Sequence, residues 1–152
     1  MSTHRATIDW VLEGDFAAGR YSRAHSISFN GGVTVAGSSS PSVVPLPYSV
    51  EDAVDPEEMF VASLSACHML WFLDLAHRAG LTVEAYRDEA DGVLAKDAEG
   101  RLAITRVTLR PAVRLAGEVD RARLTALHHA AHDACFIANS VKTQVVVDPK
   151  AD

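Results

Sequence analysis

The sequence has few features that would connect it with a membrane, a nucleic acid or an oxidising compartment. It has two cysteines in 152 residues and no cluster of Lys or Arg, and 20 acidic against 14 basic side chains give a formal net charge of -6. This acidic balance argues against a surface for nucleic acids or anionic membranes. The longest apolar stretch, within residues 59–73, is interrupted by Ser63, Ser65 and His68, so no bilayer span is expected.

The sequence also lacks an apolar signal segment, since its first residues run into an alternating strand pattern. A cytoplasmic location is therefore expected. In that reducing compartment a structural disulfide is not expected, so Cys67 and Cys135 are either buried, inert thiols or reactive ones. No Gly-x-Gly-x-x-Gly, Walker or Gly-x-Ser-x-Gly pattern is present, which leaves phosphate binding and serine hydrolysis without support.

The composition, with 48% hydrophobic and 22% charged residues, is that of one globular domain, which we expect to span residues 1–152. Strand formers over residues 5–12, alternation over 20–29 and a short run over 33–36 predict three strands. The stretch that follows, residues 37–55, is rich in Gly, Ser and Pro and predicts an irregular loop.

The next segment has clear helix signals. Asp55 suits the N-cap, Pro56 the first helical position, and Glu58 completes a capping box, while Gly80 marks the expected end. The apolar residues of this helix lie nearly all round its axis, which predicts burial on several sides.

Four further elements complete the pattern. Residues 82–97 and 102–115 predict two long strands joined by a hairpin, 119–135 a second helix, and 141–147 a last strand. The order β-β-β-α-β-β-α-β is typical of an α+β fold with helices packed on an antiparallel sheet.

The two cysteines stand in recognisable surroundings. Residues 55–68 read Asp-Pro-Glu-Glu-Met-Phe-Val-Ala-Ser-Leu-Ser-Ala-Cys-His, with Cys67 ten residues after Glu57, and Cys135 comes at the end of the second predicted helix. This segment resembles the signature of the OsmC/Ohr family of thiol-dependent peroxidases, which reduce organic hydroperoxides. The element order, the Glu-to-Cys interval and the second cysteine extend the resemblance to essentially the whole chain, and imply an OsmC-like fold.

The resemblance implies a role for each site residue. Cys67 would attack the peroxide, and Cys135 would resolve the resulting sulfenic acid as a disulfide, with an external dithiol reductant and no other cofactor. The family's arginine matches Arg23, or Arg20 if one insertion shifts the match, and Glu57 would hold its guanidinium. Such a cation is needed because an unperturbed thiol, with a pKa of about 8.5, is mostly protonated at neutral pH. Without the resemblance, Arg23 would be interpreted as an exposed strand residue and Glu57 as a carboxylate favoured by the helix dipole.

Apolar side chains are expected to line a pocket for an organic hydroperoxide. We predict for this role Phe60, Leu64, Trp71 and Phe136. Many members of the family place a Pro directly after the second cysteine, where this chain has Phe136, and this difference indicates a divergent subgroup.

Histidines near both cysteines suggest an alternative. His128 and His132 share a helical face with Cys135, and His68 follows Cys67, so these side chains could hold zinc. No Cys-x-x-Cys or His-Glu-x-x-His core is present, however, and no metal ligand is assigned. The alternative function is a non-enzymatic module of the same fold that binds a hydrophobic ligand or a metal.

The first helix also predicts a homodimer. Ten residues of continuous helix separate Glu57 from Cys67 by about 15 Å, so Glu57 is expected to serve the Cys67 of a second subunit. An intertwined homodimer with an interface of roughly 2,000 Å² or more would also cover the apolar sides of the helix.

Overall fold

The computed structural model describes residues 1–150, in which it contains ten strands and two α-helices. In chain order these are β1 (Ala6–Asp9), β2 (Gly14–Asp15), β3 (Arg20–Tyr21), β4 (His25–Phe29), β5 (Thr34–Gly37), α1 (Pro56–Arg78), β6 (Val83–Asp88), β7 (Asp91–Lys96), β8 (Leu102–Leu109), β9 (Pro111–Leu115), α2 (Arg121–Ala134) and β10 (Gln144–Val147). The chain divides into two compact units, Met1–Met59 and the part from Phe60 onward. The single domain expected over residues 1–152 stays a prediction, and its last two residues lie outside the described part.

The first unit contains an antiparallel sheet of order β1-β4-β5 and a small β2-β3 pair. The strand predicted over residues 20–29 is interrupted after Tyr21, because the backbone N–H of Arg23 donates to the carbonyl of Tyr48 at 2.9 Å instead of to a strand partner. The irregular loop after β5 is present as predicted. The buried hydroxyl of Ser38 accepts the backbone N–H of Val50 there at 2.9 Å, which ties the two ends of the loop together.

The ends of α1 are those predicted from the sequence. Asp55 accepts the backbone N–H of Glu58 at 2.7 Å, and the Glu58 carboxylate accepts that of Asp55 at 3.1 Å, which is a reciprocal capping box. The helix stops at Arg78, and Gly80 follows with a φ of 73°, a conformation that glycine adopts without strain. Local sequence alone therefore determines where α1 begins and ends.

One side of α1 is fully enclosed. This buried face consists of Leu64, His68, Phe72 and Ala76, at intervals of four residues. Leu64 packs against β8 in one apolar cluster, and Phe72 packs with Ala131 of α2 in another. The side away from this face is apolar as well, and Leu70 there is 62% exposed.

By length and composition alone, α1 could cross a membrane. Its 23 residues extend beyond the apolar stretch used for the sequence prediction. The core helix of a soluble protein passes the same test, and the buried face of α1 packs in the core with a histidine among its members. The helix is therefore weak evidence for a membrane span.

The two long strands predicted after α1 are each divided in two. β6 pairs with β9, and β7 pairs with β8, both antiparallel, so the hairpin contributes to two sheets. At the division the Asp88 carboxylate accepts the backbone N–H of Arg110 and the hydroxyl of Ser65, each at 2.6 Å. A side chain thus replaces a strand as the partner of that N–H, and this nonlocal contact has no signature in the strand pattern.

The last strand corrects one expectation. The sequence predicted an antiparallel sheet, but β10 pairs with β8 in parallel, with Val145 opposite Val107. The chain passes through β9 and α2 between these two strands, and a helical crossover of this kind is what parallel neighbours require. The other strand pairs are antiparallel, as expected.

α2 is slightly shorter than the predicted 119–135. Asp120 caps it by accepting the backbone N–H of Ala122 at 3.2 Å. Ala131 is fully buried, and a histidine three residues before it, His128, is buried on the same side of the helix with 1% exposure. The core between α1 and α2 therefore contains polar groups.

Replacing Asp88 with Ala should lower the free energy of unfolding by about 2 kcal/mol, because two partly buried donors lose their acceptor. Urea unfolding followed by circular dichroism measures the loss. The matched control is Asp91→Ala, which removes only an exposed ion pair with Arg110 and should cost less than about 1 kcal/mol. Equal losses in the two variants would show that Asp88 does not brace the division of the strands.

Candidate active site

Cys67 lies beside the buried face of α1, immediately before His68, and is partly exposed. It borders a cavity of about 270 Å³. The lining residues are Cys67, Leu70, Trp71, Asp74 and Phe136. The first four recur at helical spacing, so one stretch of α1 forms one wall. Leu70 and Asp74 were not predicted, although their spacing from Cys67 is a signal that could have identified them.

The walls of this cavity are almost entirely apolar. The rings of Trp71 and Phe136 meet edge to face, with centroids 5.3 Å apart and an interplanar angle of 87°. Phe136 is 68% exposed, so the cavity opens at the surface. Its one charged lining residue, Asp74, forms an ion pair with Arg78 at 2.8 Å. The space beside the Cys67 thiol therefore suits an apolar molecule.

The four predicted pocket residues lie in two places. Trp71 and Phe136 line the cavity. Leu64 is instead fully buried in the core cluster that it forms with residues of β8, and Phe60 is partly buried against that cluster. Leu64 is therefore a core residue of this chain. Contact of any of the four with a substrate stays a prediction.

Cys135 lies at the C-cap of α2 and is 1% exposed. Burial raises the pKa of its thiol to about 11. The backbone N–H of Ala138, 3.4 Å from the sulfur, opposes this rise, and interaction with the Cys67 side chain adds to it. Cys135 is thus protonated at neutral pH.

Both thiols are free, and the Cys67 side chain contributes to the raised pKa of Cys135. Cys67 and Phe136, the residue after Cys135, line the same cavity. Two thiols from different helices are therefore near neighbours in the second unit, although they are 68 positions apart in the sequence. Cys67 borders the cavity, and Cys135 lies behind it, out of solvent. This arrangement allows Cys67 to meet an incoming molecule before Cys135 does.

Arg23 and Arg20 lie in the first unit in different surroundings. The Arg23 guanidinium lies 3.7 Å from the centre of the Tyr21 ring and donates to the Tyr21 carbonyl at 2.5 Å. Arg20 is exposed and pairs with Asp15 at 3.4 Å. Within residues 1–150, no ion pair involves Arg23, so its charge is held in place without a carboxylate partner.

Glu57 lies in the first turn of α1 and is partly buried. The capping contacts of this turn belong to Asp55 and Glu58, and no hydrogen bond or ion pair of the Glu57 carboxylate is seen among the described residues. α1 continues without a break from Glu57 to Cys67. A role for Glu57 in holding an arginine stays a prediction.

The histidines form a contact that the sequence did not predict. Nε2 of His68 lies 3.1 Å from Nδ1 of His128, with the two rings nearly parallel at 5°. The Phe72 ring stacks on His128 with centroids 4.3 Å apart. Both histidines are 1% exposed, and burial lowers the pKa of each to about 4. The charge of His132 lowers the pKa of His68 further, and the charge of His68 does the same for His128. The pair is therefore neutral at pH 7.

Because both rings are neutral, the number of their N–H protons and the possible positions of these protons are fixed. Two neutral imidazoles carry two N–H protons, and one of these lies in the hydrogen bond between His68 and His128. The other must lie on an outer nitrogen, Nδ1 of His68 or Nε2 of His128, and both are buried without a partner. Within residues 1–150 no group of three or more His, Cys, Asp or Glu side chains is arranged to hold a metal ion.

Comparison with known proteins gives a consistent result. The family model for OsmC-like proteins matches residues 49–150. An OsmC-like protein of unknown function from Vibrio cholerae is 47% identical, with a TM-score of 0.95 over 99% of this chain and 100% of that one. No curated protein matches the sequence.

More distant solved structures share the fold. An organic hydroperoxide resistance protein from Elizabethkingia anophelis has a TM-score of 0.74 at 17% identity, over 100% of this chain and 98% of that one. One from Bacillus subtilis has a TM-score of 0.67 at 22% identity, over 98% of each chain.

The free energy of unfolding should fall as the pH is lowered from 6.5 towards 4. The pKa of His68 and His128 is about 4 in the folded chain and 6.5 ordinarily, so in this range the unfolded chain binds more protons. Each histidine that stays neutral contributes a slope of about 1.4 kcal/mol per pH unit. Urea unfolding at several pH values measures it.

The His128→Asn variant should show a shallower slope than the wild type between pH 6.5 and 5. The exposed His77 provides the matched control, since His77→Asn should leave the slope unchanged. A wild-type slope equal to that of His128→Asn would contradict a neutral buried pair.

Proposed function

The chain belongs to the OsmC-like family, and we propose that it is a thiol-dependent peroxidase that reduces organic hydroperoxides. The observation that carries this proposal is the pair of free thiols, one at an apolar cavity and the other buried next to Phe136, which lines the same cavity. An inert pair of core cysteines would not need a surface cavity beside one member. The organic hydroperoxide resistance proteins with this fold support the same substrate class.

In the first step, the Cys67 thiolate attacks the distal oxygen of the hydroperoxide. A sulfur–oxygen bond forms, the O–O bond breaks, and the alkoxide leaves and takes up a proton as the alcohol. Cys67 is then a sulfenic acid. The cavity walls formed by Trp71 and Phe136 favour an apolar substituent on the peroxide over a solvated one.

In the second step, the sulfur of Cys135 attacks the sulfenic acid of Cys67. A disulfide forms, and the thiol proton leaves with the hydroxyl as water. Because the pKa of Cys135 is raised to about 11, this thiol is a poor first nucleophile and suits the resolving role. An external dithiol then reduces the disulfide, and no other cofactor is required.

We assign the cation of the site to Arg23, which would stabilise the Cys67 thiolate and the leaving alkoxide by its charge. Its fixed position over Tyr21 and its lack of an ion pair support Arg23 over Arg20, whose charge is already paired with Asp15. Glu57 would orient the guanidinium.

The site would be completed in a homodimer. α1 is unbroken between Glu57 and Cys67, as the assignment of Glu57 to a second subunit requires. Exposed apolar side chains of the second unit, including Leu70 and Phe136, would gain cover from a partner.

Replacing Cys67 with Ser should reduce the turnover of cumene hydroperoxide to the uncatalysed rate, because the nucleophile is lost. Cys135→Ser should still release one equivalent of alcohol per chain, but turnover with dihydrolipoamide should fall because no disulfide can form. The rate of alcohol release and the titre of thiols before and after peroxide measure both effects.

If the wild type consumes no hydroperoxide with any dithiol, or if Cys67→Ser is as active as the wild type, the peroxidase proposal is lost. Stoichiometric zinc in the native protein, with thiols that peroxide leaves unchanged, would favour the binding module instead.

Arg23→Ala should lower kcat/KM for the hydroperoxide by at least about 100-fold, as expected when a charge that stabilises the transition state is removed. Arg20→Ala is the matched control, since it removes an exposed arginine of the same unit, and its kcat/KM should change less than threefold. The reverse ranking would assign the catalytic role to Arg20.

A mixture of the Cys67 and Arg23 variants tests whether Arg23 serves the site of its own chain or that of its partner. After Cys67→Ser and Arg23→Ala are refolded together, each heterodimer should regain one intact site if the arginine acts across the dimer. No activity returns if the arginine serves its own chain. Sedimentation of a stable, active monomer at micromolar concentration would contradict the dimer.

A further inference from the structure

The hydrogen bond between His68 and His128 joins the two helices that carry the cysteines. His68 directly follows Cys67 on α1, and His128 precedes Cys135 by seven residues, two turns along the same face of α2. Among the described residues, no other side-chain hydrogen bond connects α1 with α2. The pair therefore links the helix that contains Cys67 with the helix that ends at Cys135.

This connection is rigid. Two α1 residues hold the His128 ring, because Phe72 stacks on one of its faces while His68 bonds to its Nδ1. All three side chains are fully or almost fully buried. A hydrogen bond between planar rings depends on direction as well as distance, so it fixes the rotation of α1 about its axis more narrowly than apolar contact would.

The pair is also costly. Two buried imidazoles lose their hydration, and one N–H of the neutral pair is buried without an acceptor. Apolar side chains of similar volume would fill the same space without that cost. A contact that does not maximise stability points to a requirement for geometry.

We propose that His68 and His128 are positioning residues that hold Cys67 and Cys135 in the orientation required for their disulfide. This inference rests on the proposed function, since it concerns the second step of that reaction. The histidines bind neither peroxide nor reductant, and act through the rotation of α1 against α2. Without their hydrogen bond, the two sulfurs meet less often and the disulfide is less favoured.

The readout is the equilibrium of the disulfide with glutathione. Two protein thiols and one oxidised glutathione give the Cys67–Cys135 disulfide and two reduced glutathiones, with two electrons transferred. Alkylation and mass spectrometry of the intact chain distinguish this disulfide from a mixed disulfide on Cys67. The measurement needs no peroxide, so it is independent of turnover.

The double variant His68→Leu/His128→Leu should lower the equilibrium constant for the disulfide at least tenfold, which raises the reduction potential by about 30 mV. Amide variants provide a sharper comparison. Gln at position 68 places its amide where Nε2 of His68 lies, and Asn at position 128 does so for Nδ1 of His128. His68→Gln and His128→Asn should therefore stay within threefold of the wild type, whereas His68→Asn and His128→Gln, with the amide misplaced, should lose as much as the Leu pair.

Two further variants control for stability and for surface effects. Leu127→Ala loosens the packing of α2 and leaves both histidines in place, and His129→Leu removes an exposed histidine. Leu127→Ala should lower Tm yet leave the equilibrium constant within threefold of the wild type, and His129→Leu should change neither.

The inference is overturned if the misplaced amides behave like the matched ones, or if Leu127→Ala shifts the equilibrium as far as the Leu pair does. If the amide ranking holds but the wild type reduces no hydroperoxide, the peroxidase proposal is lost and the positioning role stands. If turnover is present without that ranking, the positioning role is lost and the peroxidase proposal stands.

Discussion

Burial of one face of α1 is the constraint on which the rest of the second unit depends. The helix repeats every 3.6 residues, so a residue next to a fully buried one is turned by about 100° towards the edge of the contact. Cys67 has this position beside His68, and its thiol borders the cavity while its helix stays fixed in the core. The same burial brings α2 and the Cys135 thiol close to Cys67.

The two thiols differ because their surroundings differ. Cys67 is partly exposed among apolar rings, whereas Cys135 is enclosed at the end of α2 and held as a thiol by burial. A two-step thiol reaction needs this difference in exposure, since one sulfur must react with the substrate and the other must react only in the second step. Two equally exposed thiols would compete for the same oxidant. The fold thus gives the two thiols different solvent access, as the proposed reaction requires.

The elements with local signals are those that the sequence predicted well. The capping box of Asp55 and Glu58 and the glycine after Arg78 set the bounds of α1, because each acts within one turn of the helix. The divided strands and the parallel β10 were not predicted. Their causes are the Asp88 contact with Arg110 and the return of the chain beside β8, which join residues far apart in the sequence.

The features of the candidate site also divide into those that the sequence predicted and those that only the structure shows. The sequence by itself determined the cysteines, the acidic start of α1 and the family signature, since these depend on residue type and short spacing. Only the tertiary structure decided that Trp71 and Phe136 share a cavity while Leu64 lies in the core, and that His68 meets His128. Periodicity shows which residues share a helix face, but not which neighbour covers that face. Contact between side chains 60 positions apart depends on how the helices pack, which no local pattern encodes.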